Sequence, residues 1–416
     1  MAAKSSSDAA FPVALDGGAG AVAAITRARR AVLADRYAAS SLSVEWRPLA
    51  ALDAIADEWR ALAARALEPN VFYEPAFALA AARVFGAGAG ALLVWSGTQE
   101  RQLIGFFPAR IETRRYGYKL PLIVGWTHAY APLGVPLVER EAAEPALAAL
   151  LAHIAAAPAL PGLLLLPSLR TDGPFAAALD TILRRAQMPA ADLNAHRRAM
   201  LAPGDDRAGY VEQALGKRKR SQLRRFLRRL SEQGAVLFTT ADEPEAVDAA
   251  LADFLALEAG GWKGRAGTAV AGRADLRRFV AGAAADLAAQ GQIAIARLLL
   301  DGRAIAAAIV LRSGRAAWFW KIAYDEDFAR FSPGVLLTAA LSEDLAEDRG
   351  LAYADSCAPA DHAMIDHIWR ERMSVGDRLI AVKPSAPFAA ARRLESLRLS
   401  AIDTARHLRD RLRRTH

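Results

Sequence analysis

Two short turns that join three apolar runs constrain the fold of this chain more than any other feature. The runs 292–300, 304–312 and 316–323 are separated only by Asp301-Gly302 and Ser313-Gly314. Turns of this kind favour β-hairpins, because glycine reaches the positive φ angles that a tight turn between two strands requires. The sequence therefore predicts three consecutive antiparallel strands.

Helical patterns precede and follow this meander. Before it the sequence predicts a helix at 217–232, a strand at 235–240 and helices at 243–258 and 273–290, and after it a helix at 334–349, a strand at 351–356 and a last strand near 378–382. Helices around an antiparallel meander are typical of α+β folds. The order also argues against a doubly wound dinucleotide-binding fold.

The first half of the chain has a similar pattern. Runs at 91–95 and 102–112 follow each other in hairpin order, and a helix at 142–156 and a strand at 163–167 come later. Pro108 lies inside the second run and predicts an edge or bulged strand, because proline donates no backbone hydrogen bond. Two related halves are therefore expected.

The domain boundaries follow from these patterns. A chain of 416 residues is long enough for two domains. We expect a flexible lead-in at 1–42, an N-terminal domain at 43–205, a C-terminal domain at 206–385 and a basic helix at 386–416.

Several classes of protein are excluded by what the sequence lacks. Cys357 is the only cysteine, so neither a disulfide framework nor a cysteine-based zinc or iron–sulfur site is possible within the chain. Walker A, HExxH, GxSxG and EF-hand motifs are absent. His362 and His367 lie five residues apart, which does not suit metal binding from one helix face. We expect no metal.

The ends and the apolar segments favour a cytoplasmic protein. The first residues lack the long apolar core of a secretory signal. The segment 146–166 is the most apolar, but a histidine, two prolines and a glycine interrupt it, which predicts a helix, a turn and a buried strand rather than a membrane span.

The net charge of +8 is concentrated in one helix. Eight cations and no acid lie between Lys217 and Arg229, while Leu223, Phe226 and Leu230 share the opposite face. The basic face is either a solvated surface between two domains or a phosphate-binding surface for a nucleotide-bearing cofactor, an RNA or a lipid headgroup.

A second candidate phosphate site follows the meander. Ser332, Pro333 and Gly334 open a predicted helix, with serine at the N-cap and proline in the first turn. The free N–H groups and positive end of such a helix are a natural seat for a pyrophosphate group.

These segments together resemble the FemAB-like branch of the GNAT acyltransferase superfamily and the CelD-type acetyltransferases associated with cellulose biosynthesis. The resembling segments are 72–85, 103–112, 216–234, 296–314, 324–334 and 353–356. The resemblance implies a tandem GNAT-like fold of mixed, largely antiparallel sheets flanked by helices. It also implies acyl transfer from acetyl-CoA or another acyl-CoA to an amine or hydroxyl group.

The resemblance also implies which residues hold the cofactor. GNAT enzymes use an Arg/Gln-x-x-Gly-x-Gly/Ala loop, and the corresponding residues here are Arg330, Phe331, Ser332, Pro333 and Gly334. Arg330 or the basic helix is expected to reach a phosphate. After the strand at 353–356, relatives continue with a glycine and a Tyr-Lys pair. The segment that begins at Cys357 here contains neither, so the role of that lysine cannot be transferred to this chain.

Acyl transfer needs a base for the proton of the acceptor and an acid for the leaving thiolate. We expect Asp355 or His362 to act as the base, because Asp355 ends a strand and histidine titrates near neutral pH. Tyr324 is expected to act as the acid or as an orienting donor, and Lys321 to place an anionic group.

Three further residues near this site are open to more than one interpretation. Trp318 and Trp320 either flank a sugar or belong to the core. Cys357 is a possible covalent nucleophile, although no neighbouring residue clearly activates it.

Three functions remain open from the sequence. The first is acyl transfer to a small-molecule or saccharide acceptor in exopolysaccharide or cellulose biosynthesis. The second is FemAB-like aminoacyl transfer from charged tRNA, with the basic helix as the tRNA contact. The third is a non-catalytic scaffold among polysaccharide-synthesis proteins, with its terminal helix on an anionic membrane surface.

Overall fold

The computed structural model describes residues 24–25, 41–204 and 207–414. The expected flexible lead-in at 1–42 lies almost entirely outside these residues. In the N-terminal half the described elements are β1 (Leu42–Pro48), α1 (Ala56–Arg65), α2 (Pro75–Phe85), β2 (Ala89–Ser96), β3 (Gln102–Glu112), β4 (Leu122–Gly125), β5 (Leu137–Val138), α3 (Ala143–Ala156), β6 (Leu163–Arg170), α4 (Pro174–Arg185) and β7 (Ala190–Leu201).

The C-terminal half contains the predicted meander with helices around it. Its elements are α5 (Tyr210–Ala214), α6 (Lys217–Ser231), β8 (Val236–Ala241), α7 (Pro244–Gly260), α8 (Trp262–Arg265), α9 (Ala274–Ala288), β9 (Ile293–Leu300), β10 (Arg303–Ser313), β11 (Ala316–Tyr324), α10 (Pro333–Glu347), β12 (Tyr353–Asp355), β13 (Glu371–Ala381) and α11 (Phe388–Arg414). The predicted α+β class is confirmed.

The strands of both halves form one continuous sheet. In the described part of the chain its order is β1-β2-β3-β4-β6-β13-β7-β12-β11-β10-β9-β8, and β5 pairs with β3. The C-terminal strand β13 lies between β6 and β7, where Leu379 pairs with Leu165 and Ala191. Each half therefore depends on a strand of the other, and the boundary at 205 does not separate two independent sheets.

Strand β3 is an interior strand, so the edge alternative was wrong. The bulge alternative holds, because the pairing with β2 shifts between Val94–Gly105 and Trp95–Leu103. The strand pairs with β2 along its length, and its other side pairs with β5 at Gly105 and Phe106 and with β4 from Ala109 onward. Pro108 falls where the second partner changes. Its missing N–H therefore interrupts neither ladder.

The C-terminal part of the sheet is covered on both faces. Ile309 and Leu311 of β10 belong to a core cluster shared with α7 and α9, and we call this side the α9 face. Ala308 and Val310 belong to a second cluster shared with α6 and α10, and we call this side the α10 face. Helix α2 of the N-terminal half packs on α9 and joins the halves.

The most apolar segment, 146–166, forms the end of α3, a turn and the start of β6, as predicted. Within the described ranges, no helix combines the length and hydrophobicity needed to cross a membrane.

A histidine in the contact between the halves predicts sensitivity to acid. The ring of His128 stacks on Phe85 at 4.2 Å, and its buried Nε2 atom has no hydrogen-bond partner among the described residues. Burial, assisted by the charge of Arg110, lowers the pKa of His128 to about 3. Below the ordinary histidine pKa of about 6.5, the unfolded chain binds a proton here that the folded chain does not.

The free energy of unfolding is therefore expected to fall as the pH drops from about 6.5 toward 3, with a contribution of roughly 2 kcal/mol by pH 5. His128→Phe removes this contribution. Urea unfolding at pH 7 and pH 5 measures it, with His367→Gln at an exposed site as the control. If the free energy of unfolding fell equally between pH 7 and pH 5 in the wild type and in His128→Phe, His128 would not be the source of the acid sensitivity.

Candidate active site

Strands β11 and β12 separate after three residues, and a cavity opens between them. Their parallel pairing is confined to Ala316–Trp318 and Tyr353–Asp355. Beyond this point β11 continues to Tyr324, while the chain turns away from it at Cys357, whose φ is +53°. The cavity has a volume of about 570 Å³.

A β-bulge in β11 sets the direction of two side chains in this cavity. Ile309 pairs with Lys321 and Val310 with Phe319, so Trp320 has no partner in β10. A bulge re-aims the residues beside it. Trp320 and Lys321 both contact Tyr130, which lies in the N-terminal half on the α9 face.

The cavity therefore passes through the sheet. On the α10 face it is lined by Phe319, Ile322, Gly334 and Val335, and on the α9 face by Trp262, Lys263, Trp320 and Lys321. A slot with two faces can admit two substrates from opposite sides.

The start of α10 lies at the α10 face of the cavity. Ser332 occupies the N-cap position with φ +51°, but its side chain does not cap the helix. Both Ser332 and Gly334 line the cavity. A Cβ atom added to Gly334 would lie 3.3 Å from Cδ1 of Tyr324, so glycine keeps this end of the cavity open.

The other residues expected to hold the cofactor lie around this helix end. Pro333 is buried at the first helical position, and Phe331 is buried in the core. Arg330 is exposed, with its guanidinium 4.8 Å from the ring centroid of Phe331, and it is outside the cavity lining.

The basic helix α6 packs beside the same helix end. It contacts the segment Glu326–Phe331 and α10, while Leu230 anchors it in the core. The exposed cations on it are Lys217, Arg218, Lys219, Arg224, Arg225, Arg228 and Arg229. As predicted, helix α6 packs against the core with its apolar face and exposes its cations on the opposite face.

Asp355 is fully buried and does not line the cavity. One carboxylate oxygen accepts a hydrogen bond from Arg198, and the other accepts the backbone N–H of Cys357 at 2.9 Å. Arg198 also donates to the carbonyl oxygen of Pro132 at 3.1 Å. The geometry thus gives Asp355 a role in holding the loop after β12 and no access to a substrate.

His362 and Tyr324, the other residues expected in proton transfer, both line the cavity. The Nδ1 atom of His362 is buried and has no hydrogen-bond partner in the described part of the chain. The side chain of Tyr324 is partly exposed and packs against Gly334. The cavity therefore brings an imidazole ring and a phenol together with the helix end.

Lys321 also lines the cavity, with Nζ 4.2 Å from the ring centroid of Tyr130 and 5.3 Å from that of Trp320. Burial, with a smaller effect of the nearby Lys263 charge, lowers the pKa of Lys321 to about 8. The side chain remains mostly protonated at pH 7.

A partly buried ion pair beside Lys321 was not predicted from the sequence. Lys263 lines the cavity and donates to Glu258 at 2.9 Å, and the second oxygen of Glu258 accepts the backbone N–H of Val270 at 2.8 Å. The signal in the sequence was Glu258, an acidic residue near the end of a predicted helix and five positions before Lys263.

The remaining candidates differ in their surroundings. Trp318 is fully buried and packs near Phe72, so it belongs to the core, whereas Trp320 lines the cavity and donates to the carbonyl oxygen of Tyr130. Cys357 lines the cavity, but burial and the Asp355 charge raise the pKa of its thiol. A thiolate nucleophile is therefore disfavoured near neutral pH.

The equivalent slot of the N-terminal half is filled by its own chain. Strands β4 and β6 pair in parallel at Ile123 and Val124, and the backbone N–H of Gly134 then bonds to Ser168 of β6. Asn70 donates to the carbonyl oxygens on both sides of Gly134. The cavity left there is only about 10 Å³, which leaves no room for a substrate.

Comparison with known proteins identifies the C-terminal half. Residues 217–363 match the family described as the acetyltransferase (GNAT) domain. The chain carries a GNAT acetyltransferase domain. The matched residues include α6, the complete meander, the start of α10 and His362, so the cavity lies within this domain. A search of the curated proteins found no match.

Solved structures resemble the chain over most of its length. FemX covers 78% of this chain and 95% of its own, at 11% identity and a TM-score of 0.50. The C-terminal domain (DUF2156) of a putative lysylphosphatidylglycerol synthetase from Agrobacterium fabrum covers 83% and 96%, at 13% identity and a TM-score of 0.50. At these identities the likeness shows the fold.

The GNAT domain makes the protein an acyltransferase of the GNAT type. GNAT domains generally use acyl-CoA. In the residues that the structure describes, no group of three or more His, Cys, Asp or Glu side chains is arranged to hold a metal ion.

Proposed function

We propose that the protein transfers an acyl group from acyl-CoA, bound in the cavity of its C-terminal half, to an amine or hydroxyl acceptor. The observation that supports this proposal is the separation of β11 and β12 directly beside the start of α10. The unpaired edge of β11 offers backbone groups to the two amides of an extended pantetheine chain. The start of α10 suits the pyrophosphate group.

The basic helix has a role in the same proposal. Helix α6 lies beside the proposed pyrophosphate seat, so its cations and Arg330 would attract the phosphates of the nucleotide. Acyl-CoA would then bind in the cavity from the α10 face, and the acceptor would enter the cavity from the α9 face.

The proposed reaction is direct transfer. A lone pair of the acceptor forms the new bond to the acyl carbon, and the carbon–sulfur bond of the thioester breaks. His362 accepts the proton that the acceptor loses, and Tyr324 donates a proton to the leaving thiolate. The ion pair of Arg198 and Asp355 holds the start of the loop 357–362, through the hydrogen bond from the backbone of Cys357, and His362 lies at the end of this loop.

The finer assignments are also proposals. We propose a saccharide among the acceptors, and exopolysaccharide or cellulose biosynthesis as the process, because of the sequence resemblance to CelD-type acetyltransferases. A cytoplasmic location agrees with the use of acyl-CoA.

Thermal unfolding with and without acetyl-CoA tests the donor. At 100 times its Kd, a ligand stabilises the native state by roughly 2.7 kcal/mol. We expect a clear rise of the Tm for the wild type and a smaller rise with 3′-dephospho-CoA. Gly334→Leu is expected to abolish the rise, because its side chain would fill the space beside Tyr324.

The matched control is Gly282→Leu on α9, where an added Cβ meets no atom within 4 Å. This variant is expected to keep the full rise of the Tm. An unchanged Tm of the wild type at millimolar acetyl-CoA would refute the proposed donor.

One observation favours a second candidate. The seven exposed cations of α6 exceed what a single nucleotide needs, and they would also suit an aminoacyl-tRNA donor. Tight tRNA binding that weakens steeply with salt, together with no response to acetyl-CoA, would favour this reaction. Binding to anionic vesicles without either donor would instead favour a scaffold role.

A further inference from the structure

We infer that the acceptor carries an anionic group, a carboxylate or a phosphate, which binds Lys321 on the α9 face of the cavity. This inference rests on the proposed function, because it concerns the acceptor side of the same cavity. It specifies the chemical class of the acceptor, which neither the GNAT match nor the fold specifies.

The first observation is that Lys321 lacks an anionic partner. In the described part of the chain its Nζ atom makes no hydrogen bond and no ion pair, and it lies over the faces of Tyr130 and Trp320. The charge of Glu258 acts on it from a distance without forming an ion pair. Largely buried cations are normally paired, since removing a charge from water is costly. A ligand anion in the adjacent cavity would complete the pairing.

The second observation is that the neighbouring carboxylate is already used. Both oxygens of Glu258 accept hydrogen bonds, one from Lys263 and one from the backbone of Val270. Two lysines and one carboxylate therefore leave one positive charge in excess. The thiol of Cys357 has a raised pKa and adds no negative charge near neutral pH.

The third observation is an apolar surface at the mouth of the cavity. The side chain of Trp262 is 59% exposed, although its backbone N–H is held by Glu326 at 2.7 Å. An acceptor with its anionic group on Lys321 can place a less polar part, such as a sugar face, on this indole. A cationic acceptor would be repelled, and a neutral one would leave Lys321 unpaired.

Matched acceptors test this inference through turnover. Glucosamine 6-phosphate is compared with glucosamine, and alanine with alaninamide, each with acetyl-CoA as the donor. We expect at least a tenfold higher kcat/KM for the anionic member of a pair, mainly through KM. Lys321→Met should remove the preference, Lys321→Arg should keep most of it, and Lys119→Met at an exposed site should not change it.

A binding measurement decides the question if no compound of the panel turns over. Inorganic phosphate is titrated into the protein by calorimetry, with and without saturating CoA. Phosphate that still binds when CoA is saturating occupies the acceptor side of the cavity. We expect Lys321→Met to weaken this binding at least tenfold. The melting temperature of the variant shows whether it is folded.

Two results would overturn the inference. One is equal kcat/KM for both members of each pair in the wild type. The other is identical phosphate titrations of the wild type and Lys321→Met. The phosphate titration without CoA does not depend on the donor, so a failure of acetyl-CoA to bind would refute the proposed function and leave this inference to the titration.

Discussion

Replacing Arg198 by methionine is expected to lower the free energy of unfolding by about 3–5 kcal/mol, because it leaves the carboxylate of Asp355 buried without its counter-ion. Both side chains are almost completely inaccessible to solvent, so water cannot replace the lost partner. The measurement is urea unfolding of the wild type and the variant at pH 7, with the slope of the transition checked for two-state behaviour.

A control and a double variant separate this ion pair from a general loss of charge. Arg228→Met removes an exposed arginine whose distance to Glu232 is 3.9 Å, and is expected to change the free energy by no more than about 0.5 kcal/mol. Combining Arg198→Met with Asp355→Leu should recover much of the stability, since no unpaired charge remains. A loss below 1 kcal/mol in Arg198→Met would show that the pair is not needed.

The same ion pair shows why part of the site was not predictable from the sequence. Strand β7 has a mixed sequence, AADLNAHRRAML, without the alternation of apolar residues that marks a half-buried strand. It is held by β13 on one side and by β12 on the other, and these partners are more than 150 positions away. Arg198 therefore gave no local signal.

Local chemistry did suffice for the meander. Asp301, Gly302 and Gly314 all adopt positive φ angles, as the turn signals predict. The turns fix the order of β9, β10 and β11, and with it the position of Lys321 and Tyr324 at the far end of β11. Residues whose placement depends on one strand and its turns were thus predictable.

Placement across the sheet was only partly predictable. The motif at 330–334 correctly indicated a helix start, but it indicated neither the left-handed conformation of Ser332 nor the exposed position of Arg330 against the ring of Phe331. The contribution of Tyr130 from the N-terminal half depends on the contact between the halves. A single sequence contains no periodic pattern that reports such contacts.

Replacing His362 by alanine is expected to lower kcat by a factor of about 10² to 10⁴, the usual contribution of a positioned acid or base. The side chain of His362 lines the cavity, which places an imidazole ring beside an acceptor bound there. The thermal shift with acetyl-CoA should be unchanged, because the proposed donor contacts lie at β11 and α10. Steady-state kinetics with the best acceptor of the panel measures the effect.

The matched control is His367→Ala, on the same segment but exposed and outside the cavity lining, which should keep wild-type kcat. Added imidazole should restore part of the activity of His362→Ala, since the removed ring leaves space at the cavity wall. A variant that is folded, binds acetyl-CoA and keeps kcat within threefold of the wild type would exclude His362 as the base. With Asp355 held by Arg198 and Cys357, the acceptor's proton would then have to pass to solvent or to the acceptor's own groups.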